Sequence, residues 1–449
     1  MTVPGRKNLS IVTRERDGTV EVLAVDGPDG VSLPSHHQSE PSRIHAELGR
    51  RFGVDVATLE YFEHRRSSRG APRVFVHELL RSPRIGACGF RWIRSPAGSG
   101  LTPIVPEHRE VLMAWFAASH QAVYKQSLPW RRRGWFVEAV TWSVDQLRAL
   151  GIEVTGPVEQ LDIRAWSSQL RIPTTAGVVY FKASPSFFGH EPELTGMLSE
   201  WFPEHFPEVL AISPGRHWML TADFGPVPRL ADPGEVLATY LAVAPCLAAV
   251  QRYAAQWPDL LLGVGCPDHR LGTLPALFEQ LAEDASAVEL AGDWHLTVEE
   301  RGQLRILTAE LTETCTALAQ SGVPESVCHL DIWRGNFCLR DGRPLIFDWA
   351  ESVVAHPFVS LQLMLRDVRM AMPGDSDAER RIRDAYLVEW SGHGGRDQLV
   401  EEVDRSADLA TVSQALLLRD ALAALEPQLR TPYQGAIANP LRDLIRRRH

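Results

Sequence analysis

The pair Asp341-Gly342 stands between two apolar runs in the segment NFCLRDGRPLIFDW, and it limits what this chain can fold into more sharply than any other short stretch. Asp-Gly at the centre of a two-residue connection favours a type I′ turn, so the flanking runs are expected to pair as antiparallel strands. With the turn at 341 and 342, Arg340 faces Arg343, and counting outward brings Asn336 opposite Phe347 and next to Asp348. The amide of Asn336 and the carboxylate of Asp348 then meet at one end of one hairpin, on the order of 5–8 Å apart at the backbone.

One neutral and one anionic oxygen donor suit Mg2+, which takes few protein ligands and completes its shell with water and phosphate oxygens. Asp331 lies five residues before Asn336, in a loop just ahead of the hairpin. It can accept a proton from a hydroxyl that attacks a phosphate held on that metal. His329 shares the loop, where it is expected to brace the backbone. Any one of these residues alone would read as a turn former or a solvated charge. The string HxDxxxxN, followed by a hairpin ending apolar-apolar-Asp, is far more specific.

Taken together, His329, Asp331, Asn336 and Asp348 resemble the aminoglycoside phosphotransferase and choline kinase family, whose fold looks like that of the protein kinases. Members commonly write HGDxxxxN and IDW or IDF, where this chain has HLD and FDW. Leu330 takes the place of the glycine, and Ser360 in HPFVSLQL takes the place of an aspartate often found after the metal strand. The resemblance implies ATP and Mg2+ as cofactors, His329 and Asp331 as catalytic-loop residues, and Asn336 and Asp348 as metal ligands. It also implies a strand lysine on the nucleotide phosphates, paired with a helix glutamate.

GVVYFKA supplies that lysine, Lys182, which shares a face with Val178 and Tyr180 by period-two alternation and is expected to point with the inner side chains. Glu191, followed by Pro192 in the first turn of the next helix, is the expected partner, with Glu193 as competitor. No GxGxxG or Walker sequence precedes Lys182, so Ser167 and Ser168 in AWSSQL are the candidates for covering the phosphates. HWMLTADFG occupies the place of the hinge between lobes, which puts adenine against the backbone of Thr221, Ala222 and Asp223.

A chain of 449 residues is expected to divide. The fold class expected is α+β: a bilobal, protein-kinase-like fold preceded by a small N-terminal domain. The boundaries read are a small α+β domain over 1–105, a helical linker over 106–156, a kinase-like N-lobe over 157–225, and a helical C-lobe over 226–449 that carries the loop and hairpin. In 1–105 the order GVSLP…AELGRRFGVD resembles a Nudix domain. The glutamates that such a domain uses to hold metal are missing from the helix, so the likeness implies no hydrolase chemistry. Trp130, Trp135 and Trp142 recur at helical spacing and are read as core.

Six scattered cysteines form no CxxC pair or zinc-spaced cluster, and read as reduced core residues. A net charge of −10 argues against a nucleic-acid or anionic-membrane partner. Neither a signal peptide nor a segment apolar enough to span a bilayer is apparent, which gives a cytoplasmic expectation. Between Pro226 and Glu325, fourteen Asp and Glu stand against five Arg and no Lys. If those helices line the acceptor pocket, with Asp268 and Arg270 at its border, the acceptor is cationic, such as an aminoglycoside or another amino-containing metabolite. The function expected is therefore ATP-dependent phosphorylation of a small-molecule hydroxyl. The alternative is a pseudokinase that binds nucleotide or metabolite and regulates a partner, and acceptor-stimulated ATP turnover separates the two.

Overall fold

The computed structural model describes residues 7–27, 30–63, 73–81, 89–94, 105–120, 128–283 and 296–448. The chain divides into two compact units, Met1–Ala183 and Ser184–His449.

The first unit opens with a mixed sheet of β1 (Asn8–Arg16), β2 (Thr19–Gly27), β3 (Gly30–Ser32), β4 (Ser35–His36), β5 (Asp55–Glu63), β6 (Arg73–Arg81) and β7 (Phe90–Arg94). Its order is β3-β2-β1-β6-β5, with β4 added to β1 and β7 to β2. β1 and β6 run parallel, and the other pairs are antiparallel. A sheet apolar on both sides needs a cover on each. Helix α1 (Pro41–Phe52) brings Ile44, Leu48 and Phe52, spaced four apart, against Val12, Leu23 and Phe75. Helix α2 (Pro106–His120) brings Val111, Leu112 and Phe116 against Leu9, Ile11, Val22 and Val76.

A second set of strands, β8 (Glu159–Ile163), β9 (Ser168–Thr174) and β10 (Gly177–Ala183), pairs antiparallel in sequence order. Helix α3 (Trp135–Ala149) packs on it, with the rings of Trp135 and Trp142 each 6.0 Å from Phe181 of β10. Trp130 and Trp135 are 1% exposed, as core aromatics should be. The stretch 106–156 thus gives one helix to each sheet. The two sheets are joined where the register of β5 shifts between Thr58 and Glu60. There the Gln160 side chain accepts from the Thr58 N–H at 2.8 Å and donates to the Thr58 carbonyl at 3.0 Å. A side-chain amide does what a neighbouring strand would otherwise do for that residue.

The second unit begins with α4 (Glu191–Trp201) and the antiparallel pair β11 (Val209–Ser213) and β12 (Trp218–Ala222). Helices α5 (Pro233–Ala254), α6 (Pro258–Gly263), α7 (Leu274–Glu283) and α8 (Val298–Ala319) follow. Two small ladders come next, β13 (Ser326–His329) with β16 (Ser352–Ala355), and β14 (Phe337–Arg340) with β15 (Arg343–Ile346). Helices α9 (Phe358–Ala371), α10 (Ser376–Leu387), α11 (Arg396–Arg405), α12 (Ala407–Ala424) and α13 (Ala438–Arg448) complete the unit.

One expectation is corrected here. By length and composition α5 could cross a membrane, contrary to the reading that no segment qualifies. In the fold it is a core helix with buried polar obligations: Gln251 donates to the Val327 carbonyl at 3.0 Å, and the Tyr386 hydroxyl donates to Gln251 at 2.5 Å.

Candidate active site

The hairpin follows from its turn. Asp341 and Gly342 both have positive φ, 51° and 77°, as a type I′ turn requires. Arg340 pairs with Arg343 and Phe337 with Ile346, and the Phe347 N–H then bonds the Asn336 carbonyl at 3.0 Å. Asn336 therefore stands opposite Phe347 and beside Asp348, in the register counted from the sequence. At Asp348 the backbone turns out of the strand with φ of 64°, a left-handed conformation that Asp tolerates better than most residues.

Ahead of the hairpin, β13 ends on His329, which is fully buried. Its Nδ1 accepts the Asp331 N–H at 3.1 Å, so its Nε2 carries the proton and donates to the Phe347 carbonyl at 3.2 Å. One imidazole thus ties the backbone of Asp331 to the strand end that carries Asp348. His329 is buried and both of its ring nitrogens are committed to backbone, the bracing geometry expected from its place in the catalytic loop. Leu330 needs none of the freedom of the glycine it replaces, because its φ is not positive. Its N–H bonds the Glu351 carbonyl at 2.7 Å, and its carbonyl accepts from Gln414 at 2.7 Å.

Asn336 donates its Nδ2 to both the carbonyl of Asp331, at 2.9 Å, and its carboxylate, at 2.8 Å. That commits the nitrogen and turns Oδ1 away as the atom able to meet a cation. Burial first, and then the charge of Asp348, raises the Asp331 carboxyl from its ordinary value to about 6; Asn336, Trp333 and Arg366 oppose the rise. Two carboxylates that repel each other across a partly desolvated gap, with an amide oxygen at its edge, fit a divalent cation with oxygen ligands. Among the described residues no cluster of three or more His, Cys, Asp or Glu offers a rival metal site.

The nucleotide candidates lie in both units. In the first, Lys182 shares a half-buried face with Val178 and Tyr180, while Val179, Phe181 and Ala183 form the fully buried face. The alternation is as read, but the inner face is the other one, because α3 claims Phe181. Ser168 is fully buried and gives its hydroxyl to the Asp162 carbonyl at 3.3 Å, which leaves it nothing to offer a phosphate. Ser167 stands at the preceding turn, where its carbonyl accepts the Arg164 N–H. In the second unit Glu191 is fully buried and accepts the Ser184 hydroxyl at 2.5 Å, whereas Glu193 is half-buried. Thr221 and Ala222 close β12, and Asp223 is exposed and caps the next turn by accepting the Gly225 N–H at 2.8 Å.

Several contacts of the site are not visible in the sequence. Phe224, near the end of the hinge segment, lies 4.9 Å ring to ring from Phe347, so 221–224 meets the strand end that carries Asp348. Ser360 accepts the His329 N–H at 2.9 Å and returns its own hydroxyl to the His329 carbonyl, bracing the loop from α9. Buried Asp367 takes the Arg334 guanidinium on both oxygens at 2.8 Å, together with the Tyr240 hydroxyl. A Cβ at Gly335 would fall inside the Trp333 ring, so glycine there lets the indole lie across the loop. The short distances from Asp331 to 333, 334 and 335 along the chain were the only signal of these roles.

A cavity of about 220 Å3 opens on Asp331, walled by Leu330, Ile332, Trp333, Leu363, Arg366, Asp367 and Met370. Among the described residues, none of the acidic stretch 226–325 lines it. Asp268 and Arg270 pair with each other, at 2.8 and 2.9 Å, rather than bordering it.

No curated protein matches the chain in sequence. Among solved structures it is similar to a choline/ethanolamine kinase family protein from Mesorhizobium loti (16% identity, 68% of this chain and 94% of that one, TM-score 0.44). It is similar also to choline kinase LicA from Streptococcus pneumoniae (16%, 69% and 98%, 0.47) and to a macrolide 2′-phosphotransferase type I (14%, 67% and 96%, 0.40). Residues 217–401, which hold the loop, the hairpin and the cavity, match the phosphotransferase enzyme family, the class of the small-molecule kinases that the catalytic loop resembles.

Proposed function

We propose that the protein catalyses Mg2+- and ATP-dependent phosphorylation of a hydroxyl on a small molecule. One observation carries this reading: a partly buried Asp331 carboxylate, oriented by the Asn336 amide and charged against Asp348, faces a cavity large enough for a small acceptor. Asp331 holds the acceptor hydroxyl and takes its proton as the oxygen attacks the γ-phosphorus; the bond from that phosphorus to the β,γ-bridging oxygen breaks, and the electron pair leaves with ADP. Asn336 Oδ1 and the Asp348 carboxylate would hold Mg2+, which when bound neutralises phosphate charge. Lys182 is assigned to the nucleotide phosphates, Ser167 to their cover, and the backbone of Thr221 to Asp223 to adenine.

His329 holds the loop rather than the substrate. The apolar packing of Leu330 and Ile332 beneath the cavity limits water around Asp331, which favours transfer to the acceptor over hydrolysis. Among the described residues, no carboxylate of the stretch 226–325 lines the cavity to recognise the amino-containing acceptor expected from it. Several of those acids cap helices or turns instead, Asp232 ahead of α5 and Glu300 in the capping box of α8 among them. Incubation with Mg-ATP and a panel of hydroxylated metabolites, read by mass spectrometry, should show one acceptor gaining a single phosphoryl group. Nucleotide binding without turnover on any acceptor would favour the pseudokinase alternative.

A further inference from the structure

The cavity beside Asp331 holds a charge that the transfer itself does not use. Arg366 lies on α9, one residue before Asp367, and the two side chains have opposite fates. Asp367 is buried and its carboxylate is spent on Arg334 and Tyr240. Arg366 is exposed into the cavity, and among the described residues no carboxylate stands within ion-pair distance of it. Asp331, the other acid of the cavity, is held by Asn336 and Trp333. Among the described residues the positive charge of Arg366 therefore has no anion at ion-pair distance, although both acids lie near enough to feel it.

The rest of the wall is apolar and open. Trp333 is 43% exposed and Met370 64%, one turn along α9 from Arg366. Such a wall accepts the flat or aliphatic body of a ligand, and a guanidinium beyond it offers a forked pair of donors that matches a carboxylate or phosphate. A cationic ligand would instead meet a like charge in a small, partly desolvated space.

We propose that Arg366 binds an anionic group of the acceptor, which makes the acceptor a hydroxylated oxyanion: a hydroxyl for Asp331, an apolar body against Trp333 and Met370, and a carboxylate or phosphate on Arg366. This deepens the phosphotransferase reading above and rests on it. The arrangement also fixes orientation, because a hydroxyl reaches Asp331 only when the anion is seated.

The test uses the full chain saturated with Mg-AMP-PNP and four matched benzyl alcohols carrying, at the para position, a carboxylate, a phosphonate, a carboxamide or an aminomethyl group. Calorimetric titration should rank the two anions about tenfold to a hundredfold tighter than the amide, with the amine weakest. Whichever anion binds tighter separates a carboxylate acceptor from a phosphorylated one. Arg366→Gln should erase the preference, Arg366→Glu should reverse it toward the amine, and Arg366→Lys should keep part of it, all with unchanged Mg-AMP-PNP affinity. The proposal is overturned if the amine binds best to the native protein, if no probe binds at millimolar concentration, or if Arg366→Gln weakens all four probes equally. Loss of nucleotide affinity in Arg366→Gln overturns it too, by giving the guanidinium to the nucleotide. ATP turnover is followed separately: its absence with every acceptor sinks the kinase reading and leaves the binding order standing.

Discussion

Two buried polar clusters, one in each unit, obey opposite rules. In the N-terminal sheet a continuous chain of hydrogen bonds links His45 Nε2 to Thr58 Oγ1 (2.8 Å), Thr58 Oγ1 to His77 Nδ1 (3.1 Å), His77 Nε2 to Ser10 Oγ (3.0 Å), Ser10 Oγ to His36 Nε2 (3.1 Å), and His36 Nδ1 to the Gln38 carbonyl (3.0 Å). The Gln38 carbonyl can only accept, so His36 carries its proton on Nδ1. Ser10 then donates to His36, His77 donates to Ser10, Thr58 donates to His77 and His45 donates to Thr58. Both hydroxyls and both nitrogens of His36 and of His77 have partners, and burial favours the neutral form of all three rings. Around Asp331 the hydrogen bonds of Asn336 and Trp333 do not cancel the charge: Asp348 repels it, and burial with that repulsion raises the carboxyl to about 6. A closed network without charge is what structure alone requires, whereas an open one that keeps two like charges together wants something from outside.

The largest expected effect tests this division directly. Asp331→Asn should lower turnover by roughly 10²–10⁴-fold, because no other group there can take the hydroxyl proton. It should leave Mg-nucleotide binding intact, and the thermal midpoint should hold or rise as the repulsion with Asp348 disappears. Asp348→Asn should remove Mg2+-dependent nucleotide binding together with turnover. Titration of nucleotide and a rate assay on both folded variants decide the matter. Near-normal turnover in Asp331→Asn would mean that the two carboxylates do not divide the work as argued.

The converse is expected in the first unit. His77→Phe takes one partner each from Ser10 and Thr58 and should cost about 1–3 kcal/mol. It should lower the denaturation midpoint while leaving the rate per folded molecule unchanged. A drop in rate at full folding would tie the histidine chain to catalysis and end the contrast.

What the sequence could and could not reveal follows the range of the interactions. The hairpin register was legible because Asp341 and Gly342 dictate it locally, and Asn336 and Asp348 travel with it. The loop was legible because Asp331 and Asn336 are five residues apart and bond each other. The inner face of β10 was misread, since alternation gives two faces but only α3, through Trp135 and Trp142, decides which is buried. Ser168 failed as a phosphate candidate for a similar reason: its hydroxyl meets Asp162, a cross-strand neighbour that no local pattern shows. The pairings of Ser360 with His329 and of Asp367 with Arg334 join segments about 30 residues apart, and the histidine chain draws on α1, β1, β4, β5 and β6. The acidic stretch 226–325 was not assignable from sequence, because a tally of charge cannot tell a helix cap such as Asp232 or Glu300 from a pocket wall.

The smallest effect, and the finest discrimination between the clusters, is the sign of their pH dependence in the nucleotide-free, Mg2+-free protein. Burial lowers His45 to about 4, His77 well below its ordinary value, and His36 to a lesser degree. Below about pH 6.5 an unfolded histidine gains a proton that the folded one refuses. Stability contributed by the chain is therefore complete above that pH and is lost on acidification toward 4, by at most ~1.4 kcal/mol per pH unit for each histidine. Asp331 works the other way. Its folded carboxyl titrates near 6 and its unfolded one near 3.8, so between those values the native state binds the extra proton and gains stability as pH falls. Chemical denaturation at steps from pH 7 to 4 should show a shallower acid loss in His77→Phe and a steeper one in Asp331→Asn than in the native chain. Turnover should fall over the range where Asp331 takes up its proton, with bound Mg2+ moving that range downward. Parallel pH curves for the native protein and both variants would show that neither cluster carries the charge state assigned to it.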